Sequence, residues 1–183
     1  DLEPSRHELM TYAMKELLIE KGHVTDEEIR KCQDTLESIE PSQGSRVIAR
    51  AWTDAAFKQR LLDDGNAALA EFDIDAGGAK MTVVENTGDV QNVVVCTLCS
   101  CYPWEVLGLP PTWYKSAAYR ARAVIDPKGV LSEFGVTLPA DTNIRVWDST
   151  AEIRYLVIPM QLEGTEGLNE AELAERVSRD SMV

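Results

Sequence analysis

The chain has 183 residues, of which 44% are hydrophobic and 27% are charged, a composition that is ordinary for a globular protein with a sizeable core. Its net charge of −13 argues against nucleic acid and against an anionic membrane surface as partners. No apolar run approaches the roughly 20 residues that a membrane-spanning helix needs. A protein partner that brings positive charge is compatible with this balance.

Two helices are predicted near the start of the chain. Ser5 with Glu8, and Thr25 with Glu28, have the spacing of capping boxes that begin helices. Gly22 is a typical stop for the first of these helices.

Further helices are predicted up to residue 75, separated by polar or glycine-containing segments. A break is predicted over residues 41–44, after which residues 47–52 carry one apolar face. Thr53 is positioned to cap another helix, and a short one is expected over 67–72. Residues 1–75 are therefore predicted to be a helical N-terminal region.

After a glycine-rich link the pattern changes to alternating helices and strands. The density of β-branched residues predicts strands at 81–84, 93–95, 144–147 and 153–158. Helices are predicted at 113–123, 127–134 and 169–177. The fold class is α+β: a helical region over 1–75 and a mixed α/β metal-binding core over 76–183, in one compact chain overall.

The four cysteines are unevenly placed. Cys96, Cys99 and Cys101 lie together directly after a predicted core strand, whereas Cys32 lies on a predicted helix and is expected to be a buried apolar residue. A secreted disulfide scaffold spreads its cysteines along the chain, so this clustering indicates metal or redox chemistry in the cytoplasm.

The segment over residues 96–101, here called the claw loop, has the composition of an unusual metal site. Cys99 and Cys101 can bind one ion through both sulfurs and through the amide nitrogens of Ser100 and Cys101, in a planar set, with the Cys96 sulfur as an axial ligand. This leaves one octahedral position open for catalysis. Amidate nitrogens favour Co(III) or low-spin Fe(III) over Zn(II), which prefers closed tetrahedral sites.

Other metal or redox sites fit the same spacing. A structural zinc site or an iron–sulfur cluster would need a fourth ligand, and the nearest candidates in type, Cys32, His7 and His23, are far away in sequence. A redox pair would use Cys96 and Cys99 and would leave Cys101 without a role. The spacing alone leaves the zinc and redox alternatives open.

The claw loop resembles that of nitrile hydratase α subunits of the cobalt type. The resemblance extends over residues 45–180 and is carried by Tyr102-Pro103-Trp104, Leu107-Gly108-Leu109-Pro110-Pro111, Trp113-Tyr114-Lys115 and Tyr119-Arg120-Ala121-Arg122. It implies an enzyme that hydrates a small nitrile to an amide, with a trivalent metal as Lewis acid. The metal subunit of thiocyanate hydrolase, with a very similar claw, is the nearest alternative, and a non-catalytic zinc or interaction module is the alternative from another class.

The resemblance assigns a role to each claw residue. Cys96 stays a thiolate, Cys99 becomes a sulfinic acid, Cys101 becomes a sulfenic acid, and the amides of Ser100 and Cys101 supply two nitrogens. Thr97 is similar to the cobalt class, since iron enzymes usually carry Ser there; Fe(III) is the alternative to Co(III).

The sequence departs from the family pattern at two positions. Glu105 stands where the family usually has Pro, and Gly77 aligns where many members place a Gln near the metal. Gly77 therefore has no side chain with which to fill that role.

Several residues outside the claw are candidates for supporting roles. Arg154 is predicted to donate hydrogen bonds to the claw, and Trp104 to line the substrate pocket, with surface pairing and core packing as the respective alternatives. Arg120 and Arg122 are expected to hold the claw loop or a partner chain, or to lie on a solvated helix face.

A partner chain is expected from the charge of the site. One thiolate, one sulfinate, one sulfenate and two amidates sum to −5, and a trivalent ion leaves −2. Burying such charge unpaired costs several kcal/mol per ion. The resemblance implies a β-type subunit, as one chain or two in the three-chain kind of this family, that supplies arginines to the claw.

Overall fold

A computed structural model describes residues 4–183, which group into two compact units, one ending at Ser38 and the other spanning Ile39–Val183. The sequence analysis divided the chain at residue 75, between a helical region and a catalytic core. That division concerns secondary structure and function rather than compactness, and it stays a prediction. Within the described residues, no helix has the length and apolar character that crossing a bilayer requires.

The first unit consists of two helices, α1 (Arg6–Glu20) and α2 (Asp26–Ser38), which confirms both predicted helices. The capping box of α1 is formed, since the Ser5 hydroxyl accepts from the amide of Glu8 at 3.3 Å. Neither helix has a buried residue. The prediction that Cys32 is buried is therefore wrong, because the apolar face on which it was placed remains exposed.

The second unit begins with three helices, α3 (Pro41–Thr53), α4 (Ala55–Asp63) and α5 (Gly65–Ala70). The predicted break over 41–44 is wrong, since α3 begins at Pro41. Proline is tolerated in the first turn of a helix because the N–H that it lacks would have no partner within the helix there. The predicted cap is displaced by one residue, since the carboxylate of Asp54, not Thr53, accepts from the first amides of α4.

All four predicted strands are present and form two parallel pairs. The strands are β1 (Lys80–Glu85), β2 (Val90–Val95), β3 (Asn143–Asp148) and β4 (Ile153–Ile158). Strand β1 pairs with β4, and β2 pairs with β3. This mixture of helices and strands confirms the α+β class.

The remaining helices are short. They are α6 (Trp104–Leu107), α7 (Thr112–Lys115), α8 (Ala117–Ile125), α9 (Pro127–Glu133), α10 (Glu170–Ala174) and a 3₁₀ turn over Arg179–Met182. The single helix predicted over 113–123 is divided at Ser116, whose extended backbone and side-chain hydroxyl cap α8. Each of the two helices that meet at Ser116 carries a tyrosine, Tyr114 on α7 and Tyr119 on α8.

The core of the second unit fixes the end of β2. Val94 and Val95 are completely buried, and so are Val47 and Ile48 on the apolar face of α3. Burial of this strand end is what holds Cys96, with 1% of its surface exposed, at a defined position.

Candidate metal centre

The three clustered cysteines converge on one point at the carboxyl end of β2. The sulfur of Cys99 lies 3.4 Å from that of Cys96 and 3.3 Å from that of Cys101, and all three sulfurs lie within 4.8 Å of one another. Cys96 is buried, Cys101 is half-buried and Cys99 is exposed. The solvent exposure of the three cysteines therefore increases from Cys96 through Cys101 to Cys99.

The backbone of the claw loop also faces the sulfurs. The amide of Cys99 donates to the Cys96 sulfur at 3.2 Å. The pKa of Cys99 is lowered to about 7 by a hydrogen bond from the Cys101 thiol, then by Cys96 and by the backbone of Ser100. Burial raises the pKa of Cys101 to about 12, and the positive charge of Arg154 opposes this rise. Sulfurs and amides thus share one small volume.

An aspartate that the sequence analysis did not single out anchors the loop. Asp148 ends β3, and its carboxylate accepts from the amide of Thr97 at 2.9 Å and from the Thr97 hydroxyl at 2.6 Å. The parallel register places Asp148 directly opposite Val95. The available signal was a polar residue at the end of a predicted strand, but its use required knowing that β3 lies beside β2.

Two tyrosines and an arginine hold the backbone around the claw. The Tyr114 hydroxyl donates to the carbonyl of Cys101 at 2.7 Å, and the Tyr119 hydroxyl donates to the carbonyl of Val94 at 2.6 Å. Arg120 donates to the carbonyl of Leu98 at 3.1 Å. The two acceptor carbonyls lie before the claw loop and at its last residue, so the tyrosines hold both ends of the loop.

The two arginines on α8, Arg120 and Arg122, have different contacts. Arg120 holds the claw loop, as expected, whereas Arg122 pairs with Glu133 at 2.8 Å and with Asp126 at 3.9 Å. The surface interpretation therefore describes Arg122. Their spacing of two residues puts them in different directions on a helix, which explains the difference.

Arg154 and Trp104 both lie in the second unit, on β4 and α6 respectively. Arg154 is on β4, its guanidinium donates to the carbonyl of Thr150, and its charge acts on Cys101. Its Nε atom is buried and has no hydrogen-bond partner among residues 4–183. Trp104 begins α6 and packs against the hydrophobic core while remaining partly exposed. Their catalytic and substrate-binding roles stay predictions.

The donor set fits one metal ion in the claw geometry better than a tetrahedral zinc. Three sulfurs share the site, and the cluster of potential ligands within the described residues contains no fourth cysteine, histidine or carboxylate. A closed structural zinc site needs that fourth side chain. The amides of the claw loop, which lie beside the sulfurs, are the remaining donors.

Comparison with known proteins agrees with this geometry. The model of the family "Nitrile hydratase, alpha chain" matches residues 5–183. The low-molecular weight cobalt-containing nitrile hydratase subunit alpha of Rhodococcus rhodochrous is 52% identical over 93% of this chain and 84% of the relative.

Solved structures of two enzymes are also similar to the whole chain. A mutant thiocyanate hydrolase superposes with a TM-score of 0.94 at 38% identity, covering 99% of this chain and 89% of that one. A double mutant of the Fe-type nitrile hydratase from Comamonas testosteroni Ni1 superposes with a TM-score of 0.93 at 39% identity, covering 100% and 90%. With the family match over nearly all of its length and the claw in place, this chain belongs to the nitrile hydratase α-chain family.

Proposed function

We propose that this chain is the metal-carrying α subunit of a cobalt nitrile hydratase, which adds water to a nitrile and releases the amide. The observation that supports this most directly is the convergence of the sulfurs of Cys96, Cys99 and Cys101 within 4.8 Å, without a fourth side-chain ligand in the cluster among residues 4–183. Cys96, Cys99 and Cys101 would hold Co(III), which would act as a Lewis acid toward the nitrile.

The different exposure of the cysteines supports a different fate for each sulfur. Cys96 is buried and is proposed to remain a thiolate. Cys99 is exposed and is proposed to reach the sulfinic acid, while the half-buried Cys101 stops at the sulfenic acid. The oxidant would be dioxygen or a peroxide, and oxidation follows thiolate character and exposure, which is the reason for this order.

Arg154, Thr97 and Trp104 are proposed to support the reaction in three different ways. The charge of Arg154 acts on Cys101, where its planar donor fork suits an oxygenated sulfur. Thr97 keeps the loop closed through Asp148. Trp104 is partly exposed beside the core and is proposed to contact the nitrile.

A partner chain is part of the proposed function. The family consists of α chains, so a partner subunit exists, and we propose that it is of the β type and supplies arginines to the claw. The support is electrostatic, since the site retains about two negative charges in a chain whose net charge is already −13. The proposed compartment is the cytoplasm, which suits clustered metal-binding cysteines.

Thiocyanate hydrolase is the second candidate function, favoured by the TM-score of 0.94 with a structure of that enzyme. The identity of 38% with that structure is lower than the 52% with a cobalt nitrile hydratase subunit. For the metal, Fe(III) is the alternative to cobalt, as the Fe-type structure has the same fold.

The test is to co-express the chain with its partner or partners in medium that contains cobalt, iron and zinc. We expect about one cobalt per chain, a claw peptide heavier by about three or four oxygens, and turnover of a nitrile but not of thiocyanate. Zinc with unmodified thiols would overturn the proposal, whereas turnover of thiocyanate alone would favour the second candidate. Equal turnover by the lone chain would show that partner arginines are not needed.

A further inference from the structure

A carboxyl group with one unpaired oxygen lies on the helix that follows the claw loop. Glu105 follows the claw loop by four positions, in the first turn of α6, and only 7% of its surface is exposed. Its Oε2 atom is buried and has no hydrogen-bond partner among the residues that the structure describes. Buried acceptors are almost always paired, so this carboxyl oxygen is available to a partner from outside residues 4–183.

Gly77 makes room for this carboxyl group. A Cβ atom at position 77 would lie 2.8 Å from Glu105 Oε1, closer than real Cβ atoms come to a neighbour. Glu105 therefore occupies the space that a side chain at position 77 would fill. The two departures from the family pattern are therefore one structural feature: position 77 lacks a side chain, and the Glu105 side chain from α6 occupies the space beside it.

Arg154 links Glu105 to the claw. Burial raises the pKa of the Glu105 carboxyl, and the positive charge of Arg154 opposes this rise. The same guanidinium thus acts on the claw sulfur and on the Glu105 carboxyl, and its own Nε is also buried without a partner in residues 4–183. Glu105 and Arg154 therefore each carry one unpaired polar atom, and the two atoms are of complementary type, one acceptor and one donor.

We propose that Glu105 is a specificity-determining residue of the substrate pocket, and that its free oxygen accepts a hydrogen bond from an N–H or O–H group carried by the nitrile. This inference rests on the nitrile hydratase function proposed above. It assigns to this chain polar nitriles, with a donor near the reacting group, rather than plain hydrocarbon nitriles. A site built around such a hydrogen bond discriminates strongly, because a substrate without the donor leaves the buried acceptor unpaired.

The experiment compares matched substrates on the cobalt-loaded complex. The probes are the three isomers of aminobenzonitrile and the corresponding methylbenzonitriles, which have similar bulk but no donor. For at least one isomer we expect kcat/KM of the amino compound to exceed that of its methyl counterpart by about tenfold or more, mainly through KM. In Glu105→Met this ratio falls to about one, whereas Glu105→Gln, which keeps an acceptor oxygen, retains most of it.

Binding of the products gives a readout that does not depend on turnover. Titration calorimetry with aminobenzamide and methylbenzamide should show the same preference in the unmodified complex and its loss in Glu105→Met. If the methionine variant does not fold, Glu105→Pro introduces the usual residue of the family, which the first helical turn tolerates.

Two failures are distinguishable. The first failure is an amino-to-methyl ratio of kcat/KM that is the same in the unmodified complex and in every variant, while the nitriles are still hydrated. This result would overturn the role of Glu105 alone, and the partner of its free oxygen would then be the second subunit or water. No hydration of any of the six nitriles by the metal-loaded complex would overturn the proposed function and this inference with it.

Discussion

Cysteine occurs in two regions of this chain, and its surroundings differ completely between them. In α2, Cys32 lies on a helix without a buried residue, exposed to solvent. In the claw loop, Cys96, Cys99 and Cys101 bring their sulfurs within 4.8 Å at the end of a buried strand. The difference shows that a reactive cysteine site depends on a fixed backbone, which a lone helical face without a core does not provide.

The largest effect is expected from removing any one sulfur of the claw. Changing Cys96, Cys99 or Cys101 to Ser removes a soft thiolate ligand from a cluster with no fourth side chain to replace it among residues 4–183. We expect cobalt content below about one tenth per chain in each variant, with secondary structure unchanged. Elemental analysis with circular dichroism checks this, and full cobalt retention by any of the three would remove that sulfur from the ligand set.

Loss of the Asp148 anchor should have an intermediate effect. In Asp148→Ala the amide and hydroxyl of Thr97 lose their common acceptor, at 2.9 and 2.6 Å, so the loop becomes looser around the metal. We expect about tenfold faster cobalt loss to a chelator, while Asp148→Asn, which keeps one acceptor oxygen, is affected less.

Asp141→Ala is the matched control for this anchor. Asp141 is an exposed acid on the loop before β3, so its replacement changes the net charge equally without touching the claw. If Asp148→Ala and Asp141→Ala lose cobalt to the chelator at the same rate, the Thr97 contacts do not stabilise the metal site.

The comparison between regions also explains what the sequence could reveal. The claw, the four strands and the two capping boxes depend on local spacing, and the sequence predicts them. Asp148 and Tyr114 act across long sequence separations, through the β2–β3 register and through the placement of α7. The burial of Cys32 was predicted from helical periodicity, which marks an apolar face but not the element that would cover it.

A smaller effect is expected from alanine substitution at Gly77, which lies beside Glu105. Gly77 and Gly78 both have positive φ, +63° and +82°, so alanine strains the backbone at either position by about 1–2 kcal/mol. Only at Gly77 does the added methyl group meet a neighbour, Glu105 Oε1 at 2.8 Å. We therefore expect Gly77→Ala to lower the free energy of unfolding by about 1 kcal/mol more than Gly78→Ala.

Urea denaturation of both alanine variants measures this difference. Gly78 is the matched control because a Cβ atom there has nothing within 4 Å in the described structure. Equal losses in the two variants would mean that Glu105 moves away without cost and is not held in its place.

The smallest effect is expected at Cys32. Because its side chain is exposed on a helix with no buried residue, Cys32→Ser removes no packing, and serine and cysteine have similar helix propensities. We expect the free energy of unfolding to change by less than about 0.5 kcal/mol and the cobalt content to match that of the unmodified chain. A thermal unfolding curve and a metal analysis on the same preparation test both points. A loss of more than about 1 kcal/mol would indicate that a partner or another segment covers α2 after all. Loss of cobalt from the folded variant would place Cys32 in the metal chemistry that the claw geometry assigns to the other three cysteines.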